Sequence, residues 1–425
     1  MATKYEDLIC DANVLYKAYK ASVKGSKWKE STQKFMLNFL SYIFELLDKL
    51  VTRTYENGPT DEFELHERGR IRPITSLCVS DRIIRHVLCD EVFLPEVRKK
   101  IIYDNGASIN GRGLAHSRKR FEVHLRRYFK EYGNNGYILF GDFSKFYDNI
   151  VHEIAKRELL KLVDDDEFVE WLLTLIFNGF RVDVSFMTDD EYSKCMTSCF
   201  NKLDYREIPK SELTGEKYME KSVNIGDQLS QIIGVYYPYR IDNYVKYVRS
   251  QKYYGRYMDD FYIMNPSKEA LADIMDHIKI IASELGIHIN DKKTRIVKIK
   301  GPYRYLQFRY ELLDNGKIVV KINQKRVTCM RQKLKKLAAK LARGERKYEN
   351  IEGMFRGWMC EFYKYMSKEQ RKNMLSLYED LFKKTIRIIK KPNNKNKMII
   401  EDRNDVQKEV SQYGSDNKEG HNASG

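Results

Sequence analysis

"RYMDDFYIM", residues 256–264, sets two adjacent aspartates into an apolar, aromatic run. Two carboxylates about 4 Å apart repel by roughly 4 kcal/mol even at an effective dielectric of 20. Burial adds a desolvation cost. Asp259 and Asp260 therefore either meet a positive group or lie on a solvated turn. The apolar run on each side of them reads as one strand of a hairpin, with the aspartates at its tip.

Working upstream, "GYILFGDF" (136–143) is a short apolar strand that ends in Asp142. "VHEIAKRELLKLV" after it has helical spacing. "IGDQLSQIIGVYYPYRIDNYVKYV" (225–248) reads as a loop entering one long helix. Between these, 180–222 is mixed and polar, lacks a clean period, and is read as an insertion. Residues 5–55 carry two or three helices, clearest in "FMLNFLSYIFELLDKL". "FELHERGRIRPITSL" (63–77) alternates like strands around a glycine turn. Residues 81–99 return to helical spacing with Asp81 as N-cap. "YDNGASINGRG" (103–113) is a loop, and 114–132 a basic helix.

Downstream, a helix over 267–285 has Ser267 as N-cap and Gly286 as its stop. "IHINDKKTRIVKI" and "YRYLQFRYELLDNGKIVVKI" are strand-like, with Asp-Asn-Gly marking a hairpin turn. After 325, Val327, Met330, Leu334, Leu337 and Leu341 form one apolar stripe on a helix stopped by Gly344. Lys325, Arg326, Arg331, Lys333, Lys335, Lys336, Lys340 and Arg343 cover much of the rest. Two more helical stretches follow, over 351–365 and 367–390. The order is helices, a mixed centre, then basic helices, which makes the class α+β with a boundary near 320.

The 425 residues are too many for one small core and imply two or three subdomains. Lys+Arg 76 against Asp+Glu 60 gives +16, a balance suited to a polyanion such as nucleic acid. The 30 tyrosines and 20 phenylalanines beside those cations suit stacking on bases. Seven cysteines without CxxC or Cys/His spacing read as reduced thiols of a cytoplasmic protein. No run of 18 apolar residues and no signal-peptide layout is present, so no membrane partner is expected. The final polar stretch reads as a flexible tail.

Asp142, Asp259 and Asp260, converging from separate strands, would make an oxygen-rich site suited to Mg²⁺. Two such ions about 4 Å apart hold the attacking and leaving oxygens of a phosphoryl transfer. Taken singly, a strand-end aspartate also reads as a turn or cap residue, and Asp-Asp as a hairpin turn.

The ordered set of motifs resembles a prokaryotic reverse transcriptase of the group II intron, retron or diversity-generating retroelement kind. "RYMDD" resembles the catalytic Tyr-x-Asp-Asp box, "GDFSKFYDNI" the first aspartate motif, and "IGDQLSQ" the Gly-x-x-x-Ser-Gln segment. "RIRPITSLCVSDRIIRHVL" resembles the fingers segment, "NDKKT" the Lys-Thr segment and "YLQFRYEL" the primer-grip hairpin. The match runs from about 60 to 320.

The resemblance implies a right-hand polymerase fold. Its parts would be an N-terminal helical region (1–60), fingers (61–135), a palm (136–320) with the insertion, a basic helical thumb (321–392) and the tail (393–425). It implies RNA-directed DNA synthesis from dNTPs with two Mg²⁺ ions. Asp142, Asp259 and Asp260 would be the metal carboxylates, and the Phe143 carbonyl would face the second metal. Tyr147 matches the bulky position that clashes with a ribose 2′-OH; simple packing is the other reading. Arg72, or Arg70 instead, would meet the triphosphate, since guanidinium forks to phosphate oxygens. Gly226 and Gln231 would lie near the template and incoming base. Lys293 matches the lysine assigned to protonating pyrophosphate, while Lys292 or Lys293 also reads as a solvated strand-end charge. Lys325, Arg326, Arg331, Lys335 and Lys336 would track the RNA–DNA duplex.

Diversity-generating enzymes usually carry Thr where this chain has Leu229, and a shorter segment than 180–222. No maturase extension, HNH motif or RNase H carboxylate set is recognisable. The contexts are antiphage defence, copying its own non-coding RNA, or a retroelement. An accessory protein or homo-oligomer stays open. The rival from another class is a non-catalytic RNA-binding protein with a polymerase fold.

Overall fold

The computed structural model describes residues 3–67, 69–205, 207–390 and 396–402, apart from the side chains of Glu67, Arg70, Lys210, 387–390 and 396–402. The chain divides into two compact units, Met1–Ile299 and Lys300–Gly425.

The first unit begins with helices α1 (Lys4–Ile9), α2 (Ala12–Val23), α3 (Glu30–Leu37) and α4 (Phe39–Val51). Strands β1 (Thr60–Glu67) and β2 (Arg70–Leu77) form the hairpin expected at 63–77, turning at Gly69 with φ +78°. Helix α5 (Val79–His86) runs through a wider π segment, Val87–Phe93, into α6 (Leu94–Lys100). Asp81 is not the N-cap of α5; Cys78 holds that position. Asp81 is buried and accepts hydrogen bonds from Tyr55 Oη (2.7 Å) and Gly58 N (3.0 Å), fastening the preceding loop to the helix.

Helix α7 (Leu114–Tyr132) leads into β3 (Tyr137–Ser144), then α8 (His152–Leu160) and α9 (Glu167–Asn178). The insertion is not structureless. It holds β4 (Val182–Asp183), α10 (Asp189–Thr197) and β5 (Tyr218–Met219), around a small core of Val184, Met187, Phe200 and Met219. The long helix expected over 225–248 is broken. Helix α11 (Gln228–Tyr236) stops before Pro238, and α12 (Tyr239–Asn243) restarts after it. Proline has no N–H to continue the ladder.

Strands β6 (Tyr254–Tyr257) and β7 (Asp260–Asn265) form the Asp-Asp hairpin, followed by α13 (Lys268–Glu284), β8 (His288–Ile289) and β9 (Arg295–Lys298). Ser267 caps α13, accepting from Ala270 N at 3.0 Å, and Gly286 follows its end with φ +67°, both as the sequence predicts.

The main sheet is antiparallel, in the order β6-β7-β3-β8, and β9 shares the edge of β3 with β8. Side chains alternate across a strand. Leu139 and Phe143 of β3 therefore share one face with Phe261 and Ile263 of β7, inside the main apolar core. Gly141 lies between them because a Cβ there would sit 2.1 Å from the Phe261 ring. The opposite face carries Phe140 and Tyr262 under α7. Phe121 meets Tyr262 edge-on at 4.8 Å, and Tyr262 Oη bonds His124 Nδ1 at 2.9 Å. Asp142 and Asp260 continue that second face toward the end of the sheet.

The second unit starts with a meander of β10 (Tyr303–Tyr305), β11 (Phe308–Leu312) and β12 (Ile318–Ile322), which turns at the predicted Asp-Asn-Gly. These strands group with the basic helices, so the division falls at Ile299/Lys300 rather than near 320. Helix α14 (Gln324–Ala342) buries Val327, Met330 and Leu334, while α15 (Tyr348–Phe362) and α16 (Lys368–Phe382) supply Phe355 and Tyr378, stacked at 4.3 Å. The helix predicted over 367–390 ends at Phe382. Lys384–Lys390 is strand β13, paired with β14 (Asn396–Asp402). Its Thr-Ile-Arg-Ile-Ile sequence is β-branched and favours the pleat. The rest of the expected tail, 393–395 and 403–425, lies outside the described residues.

Candidate active site

The register of the sheet decides the geometry. Asp142 of β3 is directly opposite Asp260 of β7. Facing residues in an antiparallel pair hold their Cβ atoms about 4.5–5.5 Å apart, where like charges are unfavourable. Asp259 occupies the turn, and its carbonyl accepts from Phe143 N at 3.2 Å. Three carboxylates therefore gather within one turn and two strand ends.

The chain relieves their repulsion in two ways. Burial is graded: Asp142 is 2% exposed, Asp259 is half-buried and Asp260 faces solvent. A lysine meets the buried one. Lys293 Nζ donates to both carboxylate oxygens of Asp142, at 2.6 Å to Oδ2 and closer to Oδ1. Backbone geometry brings it there. The edge beside β3 changes from β9, opposite Tyr137–Phe140, to β8, opposite Phe143–Ser144. The break falls at Asp142, whose carbonyl accepts from Asn290 N at 2.8 Å. Lys293 N and Thr294 N then fold back onto Asn290 O, which turns the Lys-Thr segment over the aspartate.

Tyr147 lies in the short 3₁₀ turn after β3. Burial, and then the neighbouring Asp259 carboxylate, push its phenol above the ordinary range, with Arg72 pulling the other way. Tyr147, Asp259 and Arg72 of β2 therefore share one electrostatic neighbourhood. The Tyr147 hydroxyl is 3.9 Å from Met258 Sδ, and a Cβ at Gly234 would lie 3.0 Å from it.

Residues 60–310 match the model of the family described as reverse transcriptase (RNA-dependent DNA polymerase). The chain belongs to the reverse transcriptase family. Its α+β architecture, an antiparallel sheet with packed helices and a helical second unit, is the polymerase fold that the motifs imply. A search of curated proteins finds no match. Among solved structures it is similar to telomerase from Candida albicans with a fragment of telomeric RNA: 11% identity, TM-score 0.41, 80% of this chain and 65% of that one. Apo telomerase from Candida tropicalis is similar at 14% identity and TM-score 0.38, over 65% and 53% of the two chains. This chain thus spans less than two thirds of the length of those structures.

Within this chain, the sheet brings Asp142, Asp259, Asp260 and Lys293 together, with Tyr147 and Arg72 in the electrostatic surroundings of Asp259. The Phe143 ring is buried between Phe146 (5.4 Å) and Phe261 (5.6 Å). The side chain of Arg70 lies outside the described residues. Gly226 has φ +112°, and a Cβ there would meet Thr75 O at 3.0 Å. Its loop is pinned to β2 by Thr75 N donating to Ile225 O at 3.1 Å. Gly226 and Gln231 line a cavity of about 530 Å³ with His86, Asp90, Arg112 and Gln228. Lys325, Arg331, Lys335 and Lys336 are exposed on α14, but Arg326 lies over the Phe362 ring at 4.8 Å.

The oxygen donors suit a hard divalent cation, and the Lys293 ammonium already stands as a cation against the buried carboxylate. As arranged here, with Lys293 on both Asp142 oxygens, no three His, Cys, Asp or Glu groups among the described residues converge closely enough to hold a metal ion, so Asp142 would have to exchange the ammonium for the cation.

Two buried ion pairs escaped the sequence reading. Arg85 of α5 donates Nε to Asp227 Oδ2 at 2.9 Å, and Asp227 also caps α11. Its place just before a helical run was an N-cap signal. Arg256 pairs with Asp242 from 14 residues away, and no periodicity in the sequence links them.

Proposed function

We propose that this protein is an RNA-directed DNA polymerase. It would extend a primer along an RNA template from dNTPs. The observation that carries the reading is the facing of Asp142 and Asp260, with Asp259 in the β6–β7 turn beside Asp260, inside a chain of this family. Asp142, Asp259 and Asp260 would hold two Mg²⁺ ions, which lower the cost of charge built up on the reacting phosphate oxygens. Arg72 would bind the triphosphate and Lys293 would supply a proton to the leaving pyrophosphate. Tyr147 would exclude a 2′-OH. The exposed cations of α14 would follow the phosphates of the RNA–DNA duplex. Fingers (61–135) and the palm (from 136) would lie in the first unit and the thumb in the second, which begins at Lys300.

For context we propose a prokaryotic, cytoplasmic enzyme of antiphage defence that copies a non-coding RNA. Leu229 and the ordered insertion, with its own small core, support this over a diversity-generating retroelement.

The test is purification from the native locus and sequencing of the associated nucleic acid, beside Asp259→Asn/Asp260→Asn. A discrete RNA and its complementary DNA, the DNA lost in the variant, are expected. RNA bound equally by both, with no DNA under any Mg²⁺ or dNTP condition, would establish the RNA-binding rival instead.

A further inference from the structure

Arg256 is the largest fully buried side chain among the described residues. A guanidinium has five N–H donors and cannot be deprotonated at working pH. All five are engaged here. Nε and Nη2 fork onto Asp242 at 2.8 and 2.7 Å. Nη2 also donates to Val235 O at 2.7 Å. Nη1 donates to Met258 O at 2.9 Å and reaches Gly234 O at 3.5 Å.

Each acceptor has a reason to be there. Gly234 and Val235 lie in the last turn of α11, where carbonyls lack helical partners. The residue four beyond Gly234 is Pro238, which has no N–H to offer. A cation at this end also suits the helix dipole. Met258 and Asp259 form the turn between β6 and β7, and Met258 holds φ +54°, a conformation that costs a side-chain-bearing residue. Its carbonyl belongs to the peptide that joins it to Asp259. Rotation of that peptide would swing the Asp259 side chain. On its other side, the Asp259 carbonyl takes the N–H of Phe143, the residue after Asp142.

We propose that Arg256 is a positioning residue. It locks the Met258–Asp259 peptide to the C-terminal end of α11 and so fixes the aim of Asp259 relative to Asp142. Asp259 is then held through both flanking peptides, one by Arg256 and one by Phe143. The loop leading into the N-terminal end of α11 carries Gly226, which is pinned against β2. One short helix therefore sets the catalytic turn at one end and the nucleotide-side loop at the other. This inference rests on Asp259 being catalytic.

Arg256→Lys keeps the charge opposite Asp242. A single ammonium cannot fork onto the carboxylate and also reach Met258 O. Primer extension, thermal melting and RNA affinity are measured for Arg256→Lys, Met258→Gly and the double variant. Glycine adopts the φ > 0 turn without strain, so loss of the clamp no longer releases a strained residue that would flip the Met258–Asp259 peptide. The expected result is a folded Arg256→Lys protein with RNA affinity and dNTP KM within about twofold. Its kcat is expected to fall about 10–100-fold, the scale set by an ångström of misplacement. In the Met258→Gly background the same substitution is expected to cost at least about tenfold less.

Three results overturn the proposal: unchanged kcat per folded molecule in Arg256→Lys, an equal loss in both backgrounds, or a folding failure that Met258→Gly does not correct. Asp259→Asn is run alongside. If it extends primers at the full rate, the catalytic reading itself is lost, whatever Arg256 does.

Discussion

A divalent cation held as proposed by Asp142 would want the oxygens that Lys293 holds, and that competition is measurable without turnover. The ammonium of Lys293 holds both oxygens of the buried Asp142 carboxylate. Removing one partner of a buried ion pair costs about 3–5 kcal/mol. The Lys293 side chain is 46% exposed, so solvent reaches the open end of the pair and screens the lost charge. About 1–3 kcal/mol is then the expected loss of unfolding free energy for Lys293→Met in metal-free buffer. Added Mg²⁺ should narrow that gap. In the variant Asp142 has no internal cation to displace, whereas in the parent protein it does. A ligand at 100 times its Kd stabilises by about 2.7 kcal/mol, enough to offset the loss. The assay is urea unfolding of both proteins in EDTA and in Mg²⁺. A gap of the same size in both buffers would refute the claim that metal and lysine share the Asp142 carboxylate. Lys293→Arg separates the second role. It keeps a cation at Asp142 but removes an effective proton donor, so its extension rate should fall by about 10²–10⁴ while its stability holds.

Tyr147→Val should raise rNTP incorporation relative to dNTP by at least about tenfold, the equivalent of about 1.4 kcal/mol, in single-nucleotide extension; unchanged discrimination would leave Tyr147 a packing residue. Lys335→Ala/Lys336→Ala should lower the slope of log affinity against log salt by about 0.9 for each phosphate that the helix no longer neutralises, measured by duplex binding between about 50 and 200 mM salt. Stability should fall in two steps on acidification. Burial holds His124 and His152 below the ordinary histidine value, so the stability tied to their neutral forms is present above about pH 6.5 and lost as pH falls. Asp104 is pushed up by burial but brought well below its ordinary value by His124, Arg120 and Lys246. Its contribution is lost only below about pH 4. Melting temperatures from pH 8 to 3 check both steps, and a flat profile between 7 and 5 would contradict the first.

The carboxylates were legible in the sequence because their neighbours are regular. An apolar run on each side of Asp259–Asp260 specifies two strands, and a period of two fixes which face each residue takes. Helix ends marked by Ser267 and Gly286, and the Asp-Asn-Gly turn, are local signals that burial does not override. The failures have equally local causes. Asp81 had the residue type of an N-cap, but the loop before α5 needed a buried acceptor for Tyr55 and Gly58, and the helix began earlier. The stretch after Phe382 continued a charged, helix-like composition. The β-branched residues from Thr385 onward nevertheless gained more from pairing with 396–402 than from another helical turn.

The supports of the site were a different kind of problem. Arg256 stands beside the Asp-Asp box, yet nothing in its spacing pointed to Asp242, Val235 or Gly234. Such a group is specified by a hole in the hydrogen bonding of the fold. Pro238 leaves Gly234 without its helical partner, and the left-handed Met258 turns its carbonyl toward the same point. A fixed cation with five donors fits that hole better than any neutral side chain. The hole exists only once α11, α12 and the hairpin have come together, so it cannot be read from any one of their segments. The same holds for Lys293. Its pairing with Asp142 depends on the edge strand breaking between β8 and β9 at the level of the aspartate. A sequence motif therefore locates the clustered carboxylates, while the residues packed around them are set by the backbone groups the fold leaves unpaired.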